Sequence, residues 1–146
     1  MGIGNWDLGI SVMDCIFCKI RKGEIPSFKV YEDKEFIAFL DIGPVNKGHT
    51  LIVPKTHSET FMHMDENELG KVMHAVQKVA NAILKATKAD GFNLMLNNKK
   101  AAGQVIDHTH FHIIPRFHND GFKHWPQGKY ADGEAGKIAT EIKRFL

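Results

Sequence analysis

A single long amphipathic stretch, Asp65 to about Ala89, stands between short β-type runs on both sides and restricts the fold more than any other feature. Leu69, Val72, Met73, Val76, Ala80, Ile83 and Thr87 recur there at helical spacing. Asp65 can cap the start with Glu68 three residues on, and Lys85, Lys88 and Gly91 suit the end. Three runs precede it. Phe28–Glu32 and Glu35–Asp41, separated by Asp33-Lys34, read as a hairpin, and His49–Pro54 is an apolar run ended by proline. Phe92–Asn97 and His110–Arg116 follow it. About five strands, joined mostly by short loops with one intervening helix, predict an α+β fold: an antiparallel sheet with helices on one face. Shorter helices are expected at both ends, the C-terminal one from Asp132 with Ile138, Ile142 and Phe145 on one stripe. Strict βαβ alternation is absent, which argues against a doubly wound nucleotide fold.

A chain of 146 residues is within the range of one domain that buries its own core. Residues 1–12 read as a leader or extension and 13–146 as the domain. Lys and Arg outnumber Asp and Glu by 19 to 17, too small an excess for neutralising a nucleic-acid backbone. Apolar runs such as Leu51-Ile52-Val53 fall far short of the ~20 residues a membrane helix needs. Cys15 and Cys18 are too few for a disulfide scaffold, which points to a reducing, cytoplasmic setting.

The chemistry concentrates in Asp107-His-Thr-His-Phe-His-Ile-Ile-Pro-Arg116. On a strand, His108, His110 and His112 would share one face at ~6–7 Å intervals, leaving Thr109, Phe111 and Ile113 to pack on the other. Two chemistries fit such a row: coordination of a metal, and nucleophilic catalysis in which one neutral imidazole attacks while its neighbours bind developing negative charge. Spacing alone does not choose between them. Cys15-Ile-Phe-Cys18 adds a second candidate site, with His57 and His108 able to complete a closed Cys₂His₂ set suited to structural zinc. The strand and helix that a thioredoxin-like redox pair would need are missing around it. His63, His74, His118 and His124 belong to no such constellation.

His108-Thr-His-Phe-His-Ile-Ile114 resembles the His-φ-His-φ-His-φ-φ signature of the histidine-triad (HIT) family of nucleotide hydrolases and transferases. The resemblance runs from about Asp14 to Pro126, taking in Ile16-Phe17-Cys-Lys-Ile20, Phe39-Leu-Asp41-Ile42, Lys47-Gly-His-Thr-Leu-Ile-Val-Pro-Lys55, Leu96-Asn97 and Gly103-Gln104. Within the family it resembles bacterial and archaeal zinc-containing members.

The resemblance implies that His110 attacks the α-phosphorus of a nucleoside phosphoramidate or (di)nucleoside polyphosphate, giving a covalent nucleotidyl-histidine that water hydrolyses. His112 and His49 match further phosphate-contacting histidines, and Asn97, Gly103 and Gln104 match the remaining phosphate-side contacts. Asp41 matches the carboxylate that accepts from the ribose hydroxyls, a role suited to its two acceptor oxygens. Ile16, Phe17, Ile20, Phe39, Leu40 and Ile42 match the apolar slot for the base, although periodicity alone would place most of them in the core. The implied ligand is a purine nucleotide such as AMP or GMP, the implied assembly a homodimer, and the implied metal a structural zinc on Cys15, Cys18, His57 and His108 with no catalytic metal required. Thr109 departs from the family's apolar preference, and Val105 stands among the nucleotide contacts where many members carry a serine. Two rivals to the hydrolase are a nucleotide-binding regulatory module with little turnover and a three-histidine zinc hydrolase.

Overall fold

The computed structural model describes residues 14–146; the expected leader, 1–12, lies outside the described residues. After helix α1 (Ile16–Arg21) come strands β1 (Lys29–Glu32), β2 (Phe36–Leu40) and β3 (Thr50–Pro54). Helix α2 (Glu66–Thr87), β4 (Gly91–Leu96), β5 (Phe111–Arg116) and helix α3 (Glu134–Lys143) complete the chain, with short 3₁₀ turns at Phe61–His63 and Lys100–Ala102. The five strands form one antiparallel sheet in the order β1-β2-β3-β5-β4. The expected α+β fold with five antiparallel strands is therefore the observed one, but the helices do not share a face: α2 covers one side of the sheet and α1 the other, because both sides of β2 and β3 are apolar.

Alternation along the strands divides the core between the two faces. Phe36, Ala38, Ile52, Phe111 and Ile113 face α2, packing on Val72, Val76, Val79 and Ile83. Ile37, Phe39, Leu51 and Val53 point the other way and pack with Cys15, Phe17 and Cys18 around α1. Leu51 pairs with His112 across β3 and β5, so His112 belongs to the α1 face.

Local chemistry explains where elements begin and end. Asp33 Oδ1 accepts the N–H groups of Glu35 and Phe36, closing the first hairpin. Asp65 caps α2 by accepting from Asn67 N–H, while Glu68 is buried instead of standing out as the second arm of a capping box. The helix ends earlier than expected, at Lys88 in the left-handed conformation with φ +57°, and Gly91 opens β4. Met73 is exposed, because the buried stripe runs through Val72, Ala75, Val76, Val79, Ala80 and Ile83. The C-terminal stripe of Ile138 and Ile142 stays exposed. Among the described residues no helix is long and apolar enough to cross a membrane.

Candidate functional site: two histidine clusters on the α1 face

The three histidines of the signature do not stand in one even row. β5 starts only at Phe111, because Thr109 N–H is taken by Ser58 O at 2.7 Å and its hydroxyl also bonds Ser58. His108 and His110 thus precede the strand. His108 turns into a cluster with the cysteines, whereas His110 and His112 remain neighbours with ring centroids 4.9 Å apart.

Hydrogen bonds assign a neutral tautomer to each ring of the second group. His110 donates Nδ1–H to His108 O at 2.7 Å, which leaves the Nε2 lone pair free. His49 Nδ1 accepts from Val45 N–H at 3.1 Å, so the ring proton sits on Nε2. That Nε2–H donates to His112 Nδ1 at 2.9 Å, which puts the remaining proton of His112 on Nε2. One basic nitrogen, on His110, therefore lies beside a donor on His112. Burial pushes all three below the ordinary histidine range, His112 down to about 4 with its two imidazole neighbours adding to the effect. Asp41 opposes this for each ring, its Oδ2 lying 3.7 Å from His49 Nε2. Phe17 packs edge-on against His110 at 5.0 Å and holds its orientation.

His110 and His112 line a cavity of about 370 Å³. Its walls include Ile16, Phe17 and Ile20 of α1, Phe39 and Leu40 of β2, Asp41 and Ile42 of the following turn, and Gly103 and Val105. Ile42 and Val105 are strongly exposed apolar residues at its rim. Asp41 Oδ1 accepts from Gly43 N–H at 2.8 Å, so this carboxylate also shapes the following turn.

Two expected contacts are placed differently. The Gln104 side chain is buried and fully engaged, accepting from Lys99 N–H and donating to Glu59 O and Ile106 O, so it braces the loop and does not line the cavity. Asn97 is likewise outside the lining; its amide lies 3.6 Å from where a Cβ on Gly103 would stand. Ile25, Pro26, Ser27, Leu51 and Ile106 also line the cavity, beyond the residues the sequence points to. Leu51 was findable, since it alternates with Ile52 and shares a face with His112. The turn after α1 carries no comparable periodic signal.

The other cluster joins Cys15, Cys18, His57 and His108, whose ligand atoms lie within 4.8 Å of one another. His108 donates Nε2–H to Pro54 O at 2.8 Å, which turns its Nδ1 lone pair toward Cys15 Sγ (3.3 Å), Cys18 Sγ (3.5 Å) and His57 Nδ1 (3.2 Å). His57 Nδ1 is 3.4 Å from Cys18 Sγ. Zinc–nitrogen and zinc–sulfur bonds of ordinary length give tetrahedral edges of ~3.3–3.8 Å, close to these separations. The donor set fits a closed tetrahedral ion. Without a cation, burial and the adjacent Cys15 push the Cys18 thiol up to about 12. Both cysteines are free thiols.

A five-stranded antiparallel sheet with paired histidine clusters on one face defines a histidine-site α+β protein. The HIT domain family matches residues 22–119, and the chain belongs to that family. Over 139 residues it is 49% identical to the adenylylsulfatase HINT3 of Arabidopsis thaliana, covering 91% of this chain and 70% of that protein. Over 130 residues it is 42% identical to the adenosine 5′-monophosphoramidase HNT1 of Saccharomyces cerevisiae, covering 88% and 80% respectively. A solved HIT-family structure from Bacillus subtilis is 45% identical and superposes with a TM-score of 0.83, covering 91% of this chain and 97% of that one. A zinc-bound histidine triad protein from Mycobacterium smegmatis is 31% identical with a TM-score of 0.73, covering 90% and 98%.

Proposed function

We propose that the protein is a nucleotide hydrolase that cleaves at the α-phosphate of a nucleoside phosphoramidate or (di)nucleoside polyphosphate, with His110 as nucleophile. The tautomer pattern carries this reading: His110, which lines the cavity, has its lone pair on Nε2, and the neighbouring His112 has its proton on Nε2. In the first step His110 Nε2 forms a bond to phosphorus and the bond from phosphorus to the leaving group breaks, a phosphate carrying off the electron pair as its oxyanion and an amine carrying it off together with a proton taken up from water. The ring then bears a positive charge, which the bond from Nδ1–H to His108 O stabilises. His112 donates to a phosphoryl oxygen as charge develops there. Water next attacks the phosphorus and gives up one proton to solvent, the P–N bond breaks with its electron pair returning to the ring, and neutral His110 is restored with release of the nucleoside monophosphate.

The apolar walls from Ile16 to Ile42 suit a purine base, and Asp41 beside them suits the ribose hydroxyls. Relatives named as an adenosine 5′-monophosphoramidase and an adenylylsulfatase support an adenylyl substrate. Cys15, Cys18, His57 and His108 would hold zinc, which would cross-link α1 to the start of β5 and supply stability. Residues 13–146 form the catalytic unit, in a reducing cytoplasmic compartment. The unit pairs as a homodimer, a reading supported by the edge strand β4, whose Phe92 and Leu94 are exposed.

A single-turnover assay with adenosine phosphoramidate, quenched in acid and analysed by mass spectrometry, tests the proposal. An adenylyl group on His110 is expected. Tight nucleotide binding without any conversion would favour the regulatory module.

A further inference from the structure

The donor on His112 depends on the proton of His49, which in turn depends on one backbone N–H, that of Val45. Val45 is exposed and lies in the loop between β2 and β3. Such a contact holds only if the loop is held.

Asn46 holds it. Its Nδ2 donates to Pro115 O in β5 at 2.9 Å and to Asp120 Oδ2 at 3.1 Å, while its own carbonyl accepts His49 N–H at 3.0 Å. Asp120 is a rigid anchor. It accepts Arg116 Nε and Nη2 at 2.7 and 3.0 Å together with the N–H groups of Phe117 and Phe122, and its side chain is 7% exposed. Arg116 ends β5, the strand that carries His112. The two imidazoles are therefore referenced to one strand, His112 directly and His49 through Asn46. Gly48, at φ +97°, allows the chain to turn back there; a Cβ would stand 2.8 Å from Thr87 Cγ2.

We propose that Asn46 is a positioning residue for His49. By clamping the loop to Pro115 and Asp120 it keeps Val45 N–H on His49 Nδ1, and so keeps the protons on Nε2 of both His49 and His112. The consequence for turnover rests on the reading of His112 as the donor to phosphoryl oxygen; the consequence for the tautomers does not. A single neutral hydrogen bond biases a tautomer equilibrium by roughly tenfold, enough to set which nitrogen faces the substrate.

Nitrogen-15 NMR of the imidazole rings at neutral pH tests the assignment in the wild-type protein, in Asn46→Ala and in Lys47→Ala, which alters an exposed neighbour outside the clamp. Wild type and Lys47→Ala should each show His49 and His112 as single Nε2–H tautomers. Asn46→Ala should show a mixture at His49. Turnover of adenosine phosphoramidate by Asn46→Ala should fall roughly ten- to a hundredfold in kcat with KM much less changed, as for a misaligned catalytic group. A wild-type His49 protonated on Nδ1, or an unaltered His49 tautomer in folded Asn46→Ala, would overturn the proposal. A tautomer shift in the variant, with no turnover even by wild type, would support the clamp and reject the hydrolase.

Discussion

His110 donates its Nδ1–H to the carbonyl of His108 at 2.7 Å, while the His108 ring itself is turned among Cys15, Cys18 and His57. Two residues apart, they link the clusters: His108 contributes its side chain to one and its backbone oxygen to the other. The ring–backbone bond leaves only Nε2 of His110 able to attack, since Nδ1 is spent on the carbonyl.

Replacing His110 by alanine should leave nucleotide binding measurable and the fold intact, yet lower turnover by at least ~10³-fold, because a methyl group cannot form the phosphorus–nitrogen bond. The check is steady-state turnover of adenosine phosphoramidate beside a binding isotherm. Retention of more than a few percent of wild-type rate would remove His110 from the nucleophile's role.

Metal analysis of protein purified without chelator should find about one zinc per chain, lost in a Cys15→Ser, Cys18→Ser variant. A closed site contributes folding free energy, so the variant's melting temperature should drop. Finding Cys15 and Cys18 joined as a disulfide, with no metal, would refute the zinc site.

Apolar runs and helix periodicity made much of the architecture legible, because β2 and β3 are short apolar strands buried on both faces and the buried side chains of α2 follow a 3.6-residue stripe. Boundaries were less legible where a side chain far away in sequence intervenes. Ser58 takes Thr109 N–H and delays β5, which no local pattern near His108 reveals. The same long-range dependence hid the work of Gln104, whose amide bonds Glu59 O and Ile106 O. Asn46 reads as an ordinary loop asparagine until Pro115 and Asp120 are seen beside it.

Acid should weaken the fold before it protonates the site. Burial lowers His49, and lowers His112 from the ordinary 6.5 to about 4. Between those values the unfolded chain binds protons that the folded site resists, so stability falls as pH drops from 6.5 toward about 4 and is recovered as pH rises. His112 should impose no break on the rate profile near pH 6.5, since its ring stays neutral until about 4. Chemical denaturation across this window checks the slope, and a stability that increased on acidification would contradict the buried neutral state.

Asp41 decides whether the cavity reads a sugar. One oxygen, Oδ1, already accepts from Gly43 N–H and shapes the turn, while Oδ2 faces His49 at 3.7 Å and the carboxylate lines the cavity. Asparagine at this position keeps an oxygen for Gly43 N–H, so the turn should survive, but it removes the charge-assisted acceptor for the ribose hydroxyls. Hydrogen bonds to a charged partner contribute roughly 1.5–3 kcal/mol, which corresponds to about ten- to a hundredfold in affinity. Asp41→Asn should therefore bind AMP that much more weakly, while 2′,3′-dideoxy-AMP, which has no hydroxyls to present, should bind wild type and variant almost equally. Calorimetric titration of both ligands into both proteins makes the comparison. Equal losses for the two nucleotides would mean that Asp41 acts on the Gly43 turn alone, and the ribose would have to be bound by some other group.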